Sequence, residues 1–131
     1  MMQTQQAGKE NRYENLCEEL LRERAAVLTR AGLAVEDALE KLLKIDRQIE
    51  EKIRHLQRLK KDASCQHNPQ DKRLILEDIN ASIDQFNSAH RKAEIQYYYL
   101  IVTREALGLR RHEMVRQIYP IPPQKKTMQV S

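Results

Sequence analysis

The residues of this sequence that could hold a metal ion lie around Pro69. Cys65 and His67 stand in the segment SCQHNPQ, and His55 precedes that segment. A structural zinc site needs four ligands, and these side chains do not complete such a set. The sequence also has neither a glycine-rich phosphate loop nor a nucleophile motif. We therefore expect no metal, no cofactor, no small-molecule substrate and no enzymatic activity.

Basic side chains form a second group with possible chemistry. They flank the same segment as a basic patch that comprises Arg54, Arg58, Lys60, Lys61, Lys72 and Arg73. Cations near the carboxyl end of a helix complement its dipole, so a solvated helix end explains much of this patch without any ligand. Aromatic residues do not alternate with these cations, and no reading helix is recognisable, which disfavours sequence-specific binding of nucleic acid.

The distribution of proline predicts the architecture. The four prolines are Pro69, Pro120, Pro122 and Pro123. Because a proline inside a helix costs about 3 kcal/mol, the two proline-free stretches predict long helices over about 10–62 and 71–118. A turn near Cys65 would fold them into an all-α, long antiparallel helical hairpin, a two-helix coiled coil that forms one domain over residues 1–118. Gly108 would loosen the end of the second helix into a short separate turn, and residues 119–131 are expected to form a flexible, basic, proline-containing tail.

Heptad spacing predicts which residues meet along the hairpin. In an antiparallel seam, a positions face d positions, so the residue numbers of each layer add to a constant. A constant of 135 fits every layer, as for Leu56 and Ile79. The other apolar layers include Ile49 with Phe86, Leu42 with Ala93, Val35 with Leu100, Leu28 with Leu107, Leu21 with Met114 and Cys17 with Ile118. Arg24 would face Arg111, which predicts that the end far from the turn is splayed or completed by a partner.

The second predicted helix carries more apolar surface than one seam needs. On its back face lies what we call the tyrosine stripe: Ile95, Tyr98, Tyr99, Val102, Ala106 and Leu109. The first helix has a weaker analogue in Tyr13, Leu16, Leu20 and Val27. Because a bare apolar stripe limits solubility, we expect it to be covered by an internal third segment, a second copy of the chain or a helical partner.

These features predict a non-enzymatic protein-interaction module, such as a chaperone or adaptor, that binds a helical partner through the tyrosine stripe. No family is matched on specific residues. The architecture resembles the export chaperones of flagellar and type III secretion systems, which implies that the stripe receives an amphipathic helix of a cargo protein. The alternatives are a homodimeric coiled-coil scaffold and a nucleic-acid or membrane-surface accessory that uses the basic patch.

Hydropathy predicts where the chain resides. No apolar run reaches the roughly 18–20 residues that span a bilayer, and the first residues lack the apolar core of a secretory signal. We therefore expect no membrane span and a cytoplasmic location.

Overall fold

The fold is an all-α helical hairpin followed by one short helix, as the sequence predicts. A computed structural model describes residues 2–61 and 69–129 of the 131-residue chain. Its helices are α1 (Met2–Lys61), α2 (Pro69–Ala106) and α3 (Glu113–Ile118), and the described residues contain no strand. The predicted turn, with Cys65 and His67, lies outside the described residues. Pro69 begins α2, where its missing N–H would have no helical partner in any case.

The hydrophobic core follows the predicted seam between α1 and α2. The main cluster consists of buried residues spaced three, four or seven apart: Leu42, Ile49, Leu56, Ile79, Ile83, Phe86 and Ala93. A smaller cluster near the end of α2 joins Val35, Leu100 and Val115. This spacing keeps each set on one side of its helix, so burial of these side chains holds the two long helices together.

One seam position carries a charged side chain that finds polar partners. Lys52 donates a hydrogen bond of 2.8 Å from Nζ to Oγ of the buried Ser82. The same ammonium lies 3.1 Å from the carboxylate of Asp78. Because the amine remains partly exposed while its aliphatic stem crosses the seam, the charge is kept at low desolvation cost.

The second helix is shorter than the sequence analysis predicts, because it ends at Ala106 rather than at residue 118. Gly108 adopts a positive φ of 87°, a conformation that glycine reaches without steric cost. The Leu109 amide bonds the Arg104 carbonyl at 2.9 Å, and the Gly108 amide bonds the Glu105 carbonyl at 3.0 Å. These two bonds form a Schellman motif, which satisfies the last carbonyls of α2 and turns the chain away from the helix axis.

The chain after Gly108 folds back onto the hairpin. Arg104 stabilises this reversal by donating a hydrogen bond of 3.0 Å from its guanidinium to the Arg111 carbonyl. α3 then places the buried Val115 in the cluster with Val35 and Leu100. The predicted outer layers of the seam are therefore wrong. Leu21, Met114 and Ile118 are 65%, 69% and 59% exposed.

The described part of the C-terminal segment lies along the hairpin, whereas its composition predicts a flexible tail. We call residues 119–129 the tail. It has neither helix nor strand, yet it contacts α1 through Tyr119 and Lys125 and α2 through the backbone of Lys125 and Met128. The contacts cross from one helix to the other, so this part of the tail covers one side of the seam.

The early end of α2 leaves the start of α1 without an opposing helix. In the register of the seam, Ala106 stands opposite Thr29. Residues 2–28 of α1, which we call the overhang, therefore extend about 40 Å beyond α2 at 1.5 Å per residue. None of the helices described here has the length and apolarity needed to cross a membrane.

Candidate protein-interaction surface

The overhang is the largest part of the described chain without tertiary packing. Between Lys9 and Val27 every side chain is largely exposed except Cys17, which is half-buried. The exposed apolar side chains include Tyr13 at 70%, Leu16 at 53% and Leu20 at 47%. Isolated helices are only marginally stable in water, and exposed apolar patches favour association. A long unpaired helix with these side chains is therefore expected to pack against another surface.

The apolar side chains of the overhang share one face of the helix. At 100° per residue, the set spans about 140° of the circumference. It combines the predicted weaker stripe with seam residues that lost their partners, and it comprises Tyr13, Leu16, Cys17, Leu20, Leu21, Val27 and Leu28. A face of this width suits packing between two neighbouring helices better than a narrow coiled-coil seam. We call it the overhang face.

One cation interrupts the overhang face. Arg24 lies near the middle of the set, and its predicted partner across the seam, Arg111, has moved away with the reversed chain. The overhang therefore avoids the Arg24–Arg111 repulsion that the sequence analysis anticipates. A helix packed on this face would place its own carboxylate near Arg24 at low cost.

The tyrosine stripe is also exposed, and all of it lies on the side of α2 opposite the seam except Leu109, which follows the end of that helix. Its large members are exposed by 40% to 63%, and Ala106 is exposed as well. Tyr98 and Tyr99 lie side by side, with ring centroids 6.2 Å apart. The internal third segment that the sequence analysis offers as a cover exists as α3, but it packs on Val35 and Leu100 instead of on this stripe.

The basic patch is dispersed along the ends of the two helices beside the undescribed turn. Arg54 is bonded to the Glu50 carbonyl at 3.4 Å, and Arg73 lies 3.8 Å from Glu77. Arg58, Lys60 and Lys61 occupy the last turn of α1, where they complement the helix dipole. These local contacts account for much of the patch without an external anion.

The surface depressions of the hairpin are open grooves. One groove lies along the seam on the side away from the tail, between Ala38 and Lys41 of α1 and Ala89 and Lys92 of α2. No three His, Cys, Asp or Glu side chains converge on a metal position within residues 2–61 and 69–129. Open grooves between two helices do not enclose a small molecule as a deep pocket does, so they suit contact with another macromolecule better.

Part of this surface is predictable from the sequence. The tyrosine stripe and four residues of the overhang face have a recognisable apolar pattern, whereas the heptad spacing of Leu21 and Leu28 places them in the seam. The signal that separates them is Gly108, because a glycine at the C′ position ends α2 and removes their partners. No protein-family model, curated protein or solved structure shows a significant match to this chain.

Proposed function

We propose that this chain is a non-enzymatic protein-interaction module whose overhang face binds an amphipathic helix of a partner protein. The observation that carries the proposal is the unpaired start of α1, with its broad apolar face directed to solvent. The module would present a rigid hairpin as its scaffold and the overhang as its docking element. Chaperones and adaptors that engage helical segments need such a surface.

The energetics favour a helical occupant. Fully burying an exposed leucine side chain contributes about 1.5–3 kcal/mol. Leu16, Leu20 and Leu21 are 53%, 47% and 65% exposed, so covering what remains of them would offset part of the cost of association. The overhang already has helical backbone bonds, which a second helix leaves intact while it fills the apolar face. Residues facing Arg24 in the partner are expected to be acidic.

The tyrosine stripe supplies a second contact for the same class of partner. Tyrosine combines an apolar ring with a polar hydroxyl, and interfaces are enriched in it for this reason. Tyr98, Tyr99 and Val102 lie in the last third of α2, near the point where the overhang begins. A partner with two helical segments could occupy both surfaces.

Self-association is the second candidate, because one antiparallel register of two overhangs pairs opposite charges. When residue numbers add to 38, Glu14 of one chain faces Arg24 of the other. The same register places Leu21 opposite Cys17, but it also sets Leu28 opposite Glu10. Because this register combines favourable layers with an apolar side chain opposite a carboxylate, a helix of another protein with complementary side chains is the better occupant.

The test uses a photo-crosslinking amino acid at position 20 of the full chain in its native cells. The expected result is a crosslink to one partner polypeptide through a segment that is helical in the complex. Leu43 is similarly exposed but lies on the paired part of α1, so the same crosslinker at position 43 is the matched control. Leu16→Asp should abolish the crosslink from position 20, because a carboxylate on the overhang face opposes its burial.

Light scattering on the purified chain separates the two candidates. A monomer that gains a crosslinked partner supports a foreign helix, whereas a dimer that Leu16→Asp dissociates supports self-association. A monomer without any specific crosslink from position 20 would contradict both.

A further inference from the structure

Two asparagines of α2 hold the tail by its backbone. Asn87 donates a hydrogen bond of 2.9 Å from Nδ2 to the Lys125 carbonyl, and its Oδ1 accepts one of 2.9 Å from the Lys125 amide. Asn80 repeats the arrangement with Met128, donating at 3.0 Å and accepting at 2.8 Å. Each side-chain amide thus satisfies both backbone groups of one tail residue, whatever its side chain.

The spacing of the asparagines matches the repeat of an extended chain. Asn80 and Asn87 are seven residues apart on one side of α2, which separates them by about 10.5 Å. Polyproline II has three residues per turn and a rise of about 3.1 Å, so residues three apart point the same way and lie about 9 Å from each other. Lys125 and Met128 have this separation in sequence. The distance between the two side-chain amides therefore suits a peptide segment in the polyproline II conformation.

Two side chains of the tail fit selective positions in the same groove. Lys125 places its ammonium 2.6 Å from the carboxylate of Asp46 and 4.9 Å from the centre of the Phe86 ring. Met128 packs against the main core cluster. The groove thus accepts a cation at one position and an apolar side chain three residues later.

The tail is an imperfect occupant of the groove. Its residues Ile121, Pro122, Pro123 and Gln124 line a shallow, open depression with His90 and Glu94. The buried Nδ1 of His90 makes no hydrogen bond, although Glu94 Oε1 lies 3.4 Å away. Proline has no N–H, so in the tautomer whose Nδ1 accepts a hydrogen bond the two prolines cannot supply a backbone donor to this nitrogen.

We propose that the groove formed by Asn80, Asn87 and Asp46 is a recognition site for an extended peptide of another protein. That peptide carries a lysine or arginine and, three residues later, an apolar side chain. At the positions of Pro122 and Pro123 it carries residues with a backbone N–H, which can reach His90. The tail of this chain occupies the site until such a peptide displaces it. This site is separate from the overhang face, so each proposal can fail without the other.

The test uses full-length chains and the labelled peptide IPPQKKTMQ, which has the sequence of residues 121–129. In the variant Lys125→Glu/Met128→Asp, which we call the released-tail variant, the attached tail loses both of its side-chain contacts, which lowers its occupancy of the groove. Fluorescence anisotropy should show the peptide binding to this variant at least ten-fold more tightly than to the unmodified chain. In the unmodified chain the attached tail competes at an effective concentration of about millimolar.

A second peptide, IAAQKKTMQ, tests the role of the missing N–H groups. It should bind the released-tail variant more tightly than the proline peptide does. Adding Asn80→Ala and Asn87→Ala to the variant should abolish binding of both peptides. Circular dichroism verifies that the hairpin is intact, and Asn80→Asp with Asn87→Asp offers a second pair that keeps side-chain size but removes the donors.

A charge exchange provides an independent readout of the lysine position. For this readout the attached tail carries Lys125→Ala/Met128→Asp, because a glutamate at position 125 would pair with a lysine at position 46. Adding Asp46→Lys to that chain should reverse its preference, so that a peptide with glutamate in place of Lys125 binds better than the original. The proposal is overturned if neither peptide gives saturable binding, or if the asparagine substitutions leave binding unchanged. It is also overturned if the unmodified chain forms a dimer that Asn80→Ala/Asn87→Ala dissociates, since the occupant would then be the tail of a second copy.

Discussion

Tyr119 and Glu36 are joined across the reversal of the chain. The Tyr119 hydroxyl donates a hydrogen bond of 2.9 Å to the Glu36 carboxylate, although the two residues are 83 positions apart in sequence. The same hydroxyl lies 3.5 Å from the position that a Cβ on Gly32 would take. Together with the packing of Val115 on Val35, this bond fixes α3 and the residue after it to the part of α1 that faces α2.

The first prediction concerns alkaline pH. The hydrogen bond to Glu36, then burial and the nearby negative charge, raise the pKa of Tyr119 above its ordinary value of 10.0. Because the folded state favours the protonated hydroxyl, the bond stabilises the fold fully below about pH 10, and this contribution is lost as the pH rises through the raised pKa. Urea unfolding of the unmodified chain and of Tyr119→Phe should therefore differ most at neutral pH and converge above pH 10. A difference that does not change across this range would contradict the assignment.

The second prediction compares two adjacent leucines of α1. Leu42 is fully buried in the seam, while Leu43 is 54% exposed. Leu42→Ala should lower the free energy of unfolding by about 2–5 kcal/mol through lost burial and a cavity. Leu43→Ala should change it by about 0.5 kcal/mol or less. Denaturation followed by circular dichroism at 222 nm measures both, and equal effects would place the seam elsewhere.

The third prediction compares two glycines with opposite roles. Gly108 has a positive φ, so Gly108→Ala should destabilise the fold by about 1 kcal/mol. Gly32 lies inside α1 with ordinary van der Waals space for a methyl group, so Gly32→Ala should stabilise it by about 0.5–1 kcal/mol. Thermal unfolding of both variants shows whether each substitution raises or lowers the stability of the fold. A stabilising Gly108→Ala would mean that α2 continues past this residue.

The paired part of the hairpin follows from sequence because its two signals agree. The absence of proline sets the long helices, and heptad spacing places Leu42, Ile49 and Phe86 in one seam. Large and small residues alternate there, as with Leu42 and Ala93, so one register fills the space between the helices. Local pattern and tertiary packing demand the same structure, and the prediction of the hairpin is confirmed.

The open end does not follow from sequence because its signals conflict. Residues 109–118 carry a helical apolar pattern that extends the seam, while Gly108 favours a helix end. The pattern would bring Arg111 against Arg24, whereas in the structure α2 ends at Ala106 and the chain reverses at the glycine. The course of the tail along α2 is not predictable from sequence for another reason. Its backbone hydrogen bonds come from Asn80 and Asn87, which bind any residue type and so leave no pattern in the tail sequence.

The site predictions stand between these cases. The tyrosine stripe is exposed as predicted, although Leu109 lies beyond the end of α2 and not on its back face, and what binds the stripe remains a prediction. The second surface, the overhang face, cannot be identified until the end of α2 at Ala106 is known. A helix end set by one glycine therefore changes the function assigned to residues about 80 positions earlier, as Leu28 shows.

Hydrogen exchange of the overhang amides tests the central claim most directly. The account predicts that, at a concentration where light scattering reports a monomer, amides of residues 9–27 exchange far faster than those of residues 35–56, because an unpaired helix opens locally at little cost. Binding of a helical partner should slow the first group and leave the second unchanged. Equal, strong protection of both groups in the free monomer would show that the overhang is already packed and would contradict the account.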